Sequence, residues 1–465
     1  MDTNAPVTLR KSLSPIHVCA LALGCIVGWI GFVAPGASYL REAGPAGTLL
    51  AIAVAACAMT VFAANYGFMV RRLPVAGGEF AFARSAFGGG HAFVCVWFLG
   101  LAYLCPVALN ATAIGFVART LFHGTLMVGP HYPVAGYEVY LPPLALSVCA
   151  IALIAALCIR GVRDTGVLQT VLVLALAGGA AAVAGALVFQ PSAWATADPA
   201  LHPSAADGAS LLPGFFAVLS VAPCLFVGFD TVPQSVEEFA FPVRRARRIM
   251  VVSIVAGATL YGALTLVAAA APPPETGDDL GIQAFPSFHA AYRLLGGTGV
   301  ALLSYAALAA ALTGLIGFFT ASSRLIWAMS RAGVLSPWFG RISPAHRTPR
   351  NAILFVAAVS MVAPLFGRGA LGWIADLCSL GAAVAYGYTS AAALRFARRE
   401  GVRRVQATGV LGIVLALVFV LLLAVPVGLG CEMQPHTWVC LAVWVALGAL
   451  FRLVAKLHHR QGGPA

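Results

Sequence analysis

The groups in this chain best able to do chemistry are main-chain groups in an unusual place. The stretch Gly24-Cys-Ile-Val-Gly-Trp-Ile-Gly-Phe-Val-Ala-Pro-Gly36 puts four glycines and a proline into thirteen residues of an apolar run. Glycine wastes backbone entropy and proline removes a donor, so a helix through it is expected to break. In lipid, the peptide groups freed by a break are tolerated only inside protein or along a water-filled cavity. The stretch is therefore either a binding site or a place where small residues let two helices pack closely. A second interruption lies in Pro223-Cys-Leu-Phe-Val-Gly-Phe-Asp-Thr-Val-Pro-Gln-Ser-Val-Glu-Glu238, cut at Gly228 and Pro233, with Asp230 about mid-span. A carboxylate at that depth is expensive and marks a functional group facing the protein interior. Capping of the following half-helix is a compatible role. Glu79 and Arg84, in the glycine-punctuated segment Leu73–Arg84, read either as an inner-gate pair or as part of a solvated loop. Glu237 and Glu238, followed by the Arg244–Arg248 cluster, read as gating or salt-bridge groups.

Other chemistries find no support. Ten of the eleven cysteines lie within apolar runs, Cys431 alone sits in a loop, and no CxxC or Cys/His spacing suggests a metal. No Ser/His, Cys/His or paired-carboxylate constellation occurs among the spans, which argues against an enzyme.

The elements that must position these groups are membrane helices. The 465 residues are 60% hydrophobic and 9% charged, with a mean hydropathy of +0.91. A soluble domain carries about a quarter charged residues, so this chain belongs in a bilayer. Apolar runs long enough to span recur at about 15–40, 44–70, 91–119, 141–160, 166–190, 211–240, 249–271, 298–330, 350–367, 369–396, 406–428 and 435–457, twelve in all. No cleavable signal is evident, because Met1 to Ser14 is polar and the first apolar run is too long for one. The net charge of +12 is a topology signal, not a nucleic-acid surface. Arginines cluster at Arg71, Arg72 and Arg84, at Arg160 and Arg163, at Arg244–Arg248 and at Arg395–Arg404, on alternate connections and beside both termini. Acids take the other connections, including Glu42, Glu138, Asp198, Asp207, Glu275, Asp278, Asp279 and Glu432. The positive-inside rule then predicts a multi-pass protein of the cytoplasmic membrane with both termini in the cytoplasm. A short helix is expected over Phe285–Arg293, lying across the entrance.

The two interruptions lie five helices apart. Five is odd, so a five-helix repeat is inverted in the membrane, and interrupted segments at matching positions of two halves are the best sequence pointer to a transporter's site. This gives a core over 1–400, made of helices 1–5 (about 15–190) and 6–10 (about 211–396). Residues 401–465 add two further helices and a cytoplasmic tail.

In these pieces the chain resembles the amino acid–polyamine–organocation superfamily, whose members share the five-plus-five inverted-repeat fold of the bacterial leucine transporter. The resemblance rests on the break through Gly36, Ala43-Gly-Pro45, Leu73-Pro-Val-Ala-Gly-Gly-Glu-Phe-Ala-Phe-Ala-Arg84, Phe226-Val-Gly-Phe-Asp230 with Glu237-Glu238 and Pro242, and Ser323–Arg331 with Thr348-Pro349. It implies an all-α membrane protein that moves an amino acid or related small amine by alternating access. An ion-independent exchanger and a non-transporting nutrient sensor are the alternatives. It further implies that N–H groups from Trp29 to Phe32, through Ile30 and Gly31, hold a substrate carboxylate. Carbonyls of Cys25–Val27, beside Gly28, and of Leu225–Gly228, through Val227, take its ammonium group. Phe226 is the implied aromatic gate, and Phe229 and Asp230 complete the helix-six side. Tyr103, Asn110 and Tyr386 either line the pocket or pack the core.

Two departures stand out. Trp29 occupies a position where many members carry a small residue, so its ring is expected to narrow the pocket and select a small cargo. The helix-five stretch Gln169–Leu176 lacks the lysine of many proton-coupled members, leaving H+, Na+ or no ion as the coupling partner. Sodium would draw on carbonyls of Gly24–Val27 and hydroxyls of Thr320, Ser322 or Ser323; a proton would ride on Asp230 or a glutamate. The expected partners are the small molecule and the lipid bilayer, with the protein a monomer or homodimer and no nucleic acid.

Overall fold

The computed structural model describes residues 11–34, 36, 39–121, 126–134, 137–189, 212–270, 285–425 and 433–461. Asp198, Asp207, Glu275, Asp278, Asp279, Cys431 and Glu432 lie outside them, as does Pro35 of the first interruption.

Ser14 starts the first helix, its Oγ accepting the His17 N–H at 3.4 Å, while Pro15 takes the first turn, where a missing N–H costs nothing. α1 (Pro15–Val27) stops at Gly28, whose φ of 35° admits little but glycine. α2 (Ile30–Ala34) resumes after two residues. The helices that follow are α3 (Leu40–Arg72, bent at Gly44), α4 (Gly78–Phe87), α5 (Gly89–Leu121), α6 (Leu141–Arg160) and α7 (Val162–Phe189). The sixth segment is cut into α8 (Leu212–Ser220), α9 (Ala222–Phe226) and α10 (Thr231–Gln234). Then come α11 (Ala246–Ala269), α12 (Pro286–Arg331), α13 (Arg350–Ser360), α14 (Leu371–Glu400), α15 (Arg403–Ala424) and α16 (Pro435–Gln461). A two-stranded antiparallel hairpin, β1 (His131–Val134) with β2 (Tyr137–Tyr140), sits before α6.

Among the described residues, nine helices are long and apolar enough to cross a membrane. The expected spans at 15–40, 211–240 and 350–367 are not among them, for a physical reason: glycine, proline or a helix end leaves each in short pieces. The hairpin was not foreseen, although Tyr132, Val134, Tyr137 and Val139 are good strand formers.

Burial separates centre from rim. About 72% of the apolar window is buried in α5 and in α14, against 28% in α6 and α7 and 11% in α16. The rim helices present Leu153, Leu174, Val188, Leu417, Val439 and Val443 outward. Such a belt would be a liability in water and is the normal contact with hydrocarbon in a bilayer.

The centre is built around α1, which packs on α7, α11 and α12, while α9 packs on α14 and α3. α12 changes direction at Gly296 (φ 60°), so Pro286–Leu295 forms a separate short helix, as expected for 285–293. We call the end carrying that helix distal and the end carrying residues 11–14 proximal. α4, the punctuated segment after Leu73, is neither a span nor a solvated loop. It starts at two left-handed glycines, Gly77 (φ 88°) and Gly78 (φ 34°), and buries Glu79, Phe80, Phe82, Ala83 and Ala86.

Candidate functional site

The two interruptions meet main chain to main chain. A β-carbon on Gly228 (φ 137°) would lie 2.6 Å from Cys25 Cβ and 2.7 Å from the Ile26 amide nitrogen, so only glycine permits this approach. Tyr261 of α11 ties the contact together. Its hydroxyl lies 2.5 Å from the Ile26 carbonyl and 2.8 Å from the Leu225 carbonyl, one acceptor from each broken segment. A β-carbon on Gly31 would come within 2.7 Å of the Tyr261 ring. One side chain from a third element therefore satisfies carbonyls that both breaks leave without helical partners.

Asp230 folds back on its own break. Its Oδ1 accepts the Gly228 N–H at 2.7 Å, and no side-chain cap forms on α10. Its Oδ2 is buried without a hydrogen-bond partner. From here a polar chain runs toward the proximal end. The Tyr103 hydroxyl donates to the Asp230 carbonyl at 3.1 Å, and Gln234 Nε2 reaches the Tyr103 oxygen at 3.4 Å and Glu79 Oε2 at 2.5 Å. Tyr66 of α3 donates to Glu79 Oε1 at 2.9 Å. Phe229 and Tyr386 pack at a tilt beside it, with ring centroids 5.3 Å apart, and Tyr66 lies 5.5 Å from Phe229. The Tyr386 hydroxyl is buried without a partner.

The remaining residues of the first interruption are accounted for. Val27, Gly28, Gly31 and Phe32 are buried and Ile30 partly so. The Trp29 N–H donates to Asn110 Oδ1 at 3.0 Å, and the Phe32 N–H to the Trp29 carbonyl at 3.0 Å. Asn110 is held in turn by its Nδ2 donating to the Pro106 carbonyl at 2.8 Å. The Trp29 ring turns distally, 6.1 Å from the Phe285 ring and 6.4 Å from Phe288, so it meets the short distal helix. Leu225, Phe226 and Val227 are buried, with Phe226 edge-on to Tyr261 at 5.8 Å.

The proximal end is closed by charge and by main chain. Arg324 and Glu238, each 1% exposed, form a two-pronged ion pair with Nε–Oε1 at 2.7 Å and Nη2–Oε2 at 3.3 Å. The N–H groups of Ser12 and Leu13 donate to the Glu238 carbonyl, and the Ala240 N–H donates to the Leu13 carbonyl. Glu237 accepts the Ala76 N–H at 2.9 Å and lies 3.7 Å from Arg331. Glu79 does not pair with Arg84. Five positions on one helix set them roughly 140° apart around its axis, and Arg84 is exposed with its guanidinium over Phe80.

The candidate cation ligands are not brought together. The Gly24 carbonyl accepts from Thr313 Oγ1 at 3.3 Å, and Gln169 of α7 donates to the Thr313 carbonyl at 3.0 Å. Thr320 lies two turns further along α12, roughly 10 Å by helical rise. There Ser323 Oγ bonds the Thr320 carbonyl and Arg324 Nη1, and Ser322 Oγ is buried without a partner. Tyr66, Gln169, Tyr261 and Thr313 went unassigned in the sequence. Their only signal is a lone polar group inside an aliphatic run, which a core tyrosine or threonine shares.

The chain matches the family model described as Amino acid permease over residues 13–451. It is similar to the methylthioribose transporter of Bacillus subtilis (strain 168), at 26% identity over 480 residues, covering 97% of this chain and 95% of that protein. It is similar to the branched-chain amino acid permease BcaP of Lactococcus lactis subsp. cremoris (strain MG1363), at 26% over 400 residues, covering 84% and 82%. Cationic amino acid transporter 4 of Homo sapiens is 26% identical over 410 residues, covering 85% of this chain and 61% of that protein. A match of that extent, on a chain with nine apolar spans among its described residues, establishes a membrane transport protein rather than an enzyme, and the chain belongs to the amino acid permease family of the amino acid–polyamine–organocation superfamily.

Proposed function

We propose that this protein is a secondary active transporter that moves an amino acid or related small amine across the cytoplasmic membrane by alternating access. The observation that carries the reading is the main-chain contact of the two interrupted segments at Gly228 and Cys25–Ile26. Interrupted segments that meet deep in an apolar bundle supply peptide groups for a polar cargo where lipid offers none. We assign the N–H groups of Ile30 and Gly31 to a substrate carboxylate, since Trp29 and Phe32 already donate elsewhere. We assign Asp230 Oδ2, with the carbonyls around Val27 and Val227, to the ammonium group. Phe226 covers the site. In this reading the chain has twelve spans arranged as five plus five with two added helices, and the proximal end faces the cytoplasm.

The test is uptake and exchange by the full-length protein in proteoliposomes, with zwitterionic, branched-chain and cationic amino acids, amines and methylthioribose as cargo. Flux of an amino-group compound supports the assignment. Flux of methylthioribose alone overturns the ammonium site, and binding without uptake or exchange makes the protein a sensor. Asp230→Asn is expected to reduce uptake at least tenfold while the protein remains folded; wild-type uptake would leave Asp230 with the break alone to hold.

A further inference from the structure

The polar chain leading away from Asp230 ends on a carboxyl group that the substrate site does not use. Glu79 is fully buried, and its oxygens receive one hydrogen bond from Tyr66 at 2.9 Å and one contact from Gln234 at 2.5 Å. No cation faces it. The titratable groups around it are Tyr66 on α3, Cys95 and Tyr103 on α5, Asp230 on the sixth segment and Tyr386 on α14. The α12 guanidinium groups of Arg324 and Arg331 are taken by Glu238 and Glu237, and Arg84 of its own helix is exposed on another face.

An ionised carboxylate so placed has lost its water and gained no counter-charge, which favours the neutral acid. The start of α4 offsets a small part of this by its dipole. α4 lies outside the nine spans, and burial, followed by the charge of Asp230, pushes the Glu79 carboxyl well above the ordinary range.

We propose that Glu79 is the site of a proton that this transporter carries together with its substrate. The inference rests on the transport reading above and adds the coupling ion and its seat. Asp230 is the poorer candidate, because Gly228 already donates to its Oδ1 and a substrate ammonium would supply the charge its Oδ2 lacks. Gln234 makes the link. It stands one helical turn beyond Asp230 and contacts both Tyr103 and Glu79, so its position reports on the sixth segment. One O–H bond forms on Glu79 from a solution proton before closure. When the sixth segment swings the proximal end open, Gln234 leaves, water reaches the acid, and the same proton departs with the substrate.

The experiment uses the full chain in proteoliposomes, the panel compound with the highest wild-type exchange, and a clamped membrane potential. With one proton per substrate, an inward gradient of one pH unit drives up to about tenfold accumulation. Glu79→Gln is expected to accumulate no more than about onefold while still exchanging labelled for unlabelled substrate. Tyr66→Phe keeps coupling but moves the midpoint of the pH profile upward, since the anion loses a donor. Wild-type accumulation indifferent to the pH gradient overturns the proposal, as does full accumulation by Glu79→Gln. Should Glu79→Gln lose exchange as well, an unshifted Tyr66→Phe midpoint overturns it. Infrared spectra decide protonation apart from transport: wild type at neutral pH should carry a protonated-carboxyl band that Glu79→Gln lacks. Matching spectra overturn the proton site even if no panel compound moves, an outcome that would count against the transport reading alone.

Discussion

The two ends of the proposed site are closed by opposite kinds of contact. At the proximal end the closure is ionic: Arg324 and Glu238 are buried against each other, and residues 12–13 bond to the main chain at 238–240. At the distal end it is aromatic, with Trp29 packed on Phe285 and Phe288. The difference bears on how each end can open. A separated ion pair regains hydration on both sides, so the desolvation cost of closure is returned when water enters. Separated aromatic rings gain nothing from water. At about 25 cal/mol per Å2, exposing one ring of 150–250 Å2 costs roughly 4–6 kcal/mol. In the proposed alternating-access cycle the distal helix would move with its rings still covered, and the bend at Gly296 provides a point for that.

The comparison can be broken at three places. The largest effect is expected at the ion pair. Arg324→Ala strands a buried carboxylate and should cost about 3–5 kcal/mol, read as a lower melting temperature in detergent. Removing both partners, as Arg324→Ala with Glu238→Ala, should recover part of that loss. Strict additivity would show that the two charges do not depend on each other. Next comes Tyr261→Phe, which leaves the Ile26 and Leu225 carbonyls without their shared donor, at about 1–3 kcal/mol. Its signature is a loss in both stability and uptake, since it loosens the two breaks rather than either end. The smallest effect is expected from Trp29→Phe, about 1 kcal/mol, because a smaller ring keeps the aromatic contact. Cargo size should hardly change, as the Trp29 ring points to the distal helix. Acceptance of distinctly larger cargo would restore it to the pocket wall.

Much of this was legible in the chain. The first interruption announced itself through Gly24, Gly28, Gly31 and Gly36, and the second through Gly228, Asp230 and Pro233. These are local signals, since a helix responds to the glycines and prolines within it. The site's supports were not legible. Tyr261 reads as one more apolar-helix tyrosine until its hydroxyl is found between two carbonyls from segments about 200 residues apart in sequence. Arg84 looked like a partner for Glu79 because they share a short segment, but helical geometry turns them apart. Thr320 and Thr313 look equivalent along α12, and only packing against α1 shows which of them meets Gly24.

By itself the sequence determined nine of the apolar spans found among the described residues and the positions of the two breaks, because these depend on composition and on the conformational limits of single residues. The tertiary structure alone decided which groups the breaks meet. Contact between Gly228 and Ile26, the turning of Trp29 toward Phe288 and the separation of Glu79 from every described cation arise from how separate helices pack. Side chains of one type are interchangeable in a sequence pattern and become distinct only when a neighbouring helix supplies, or withholds, a partner.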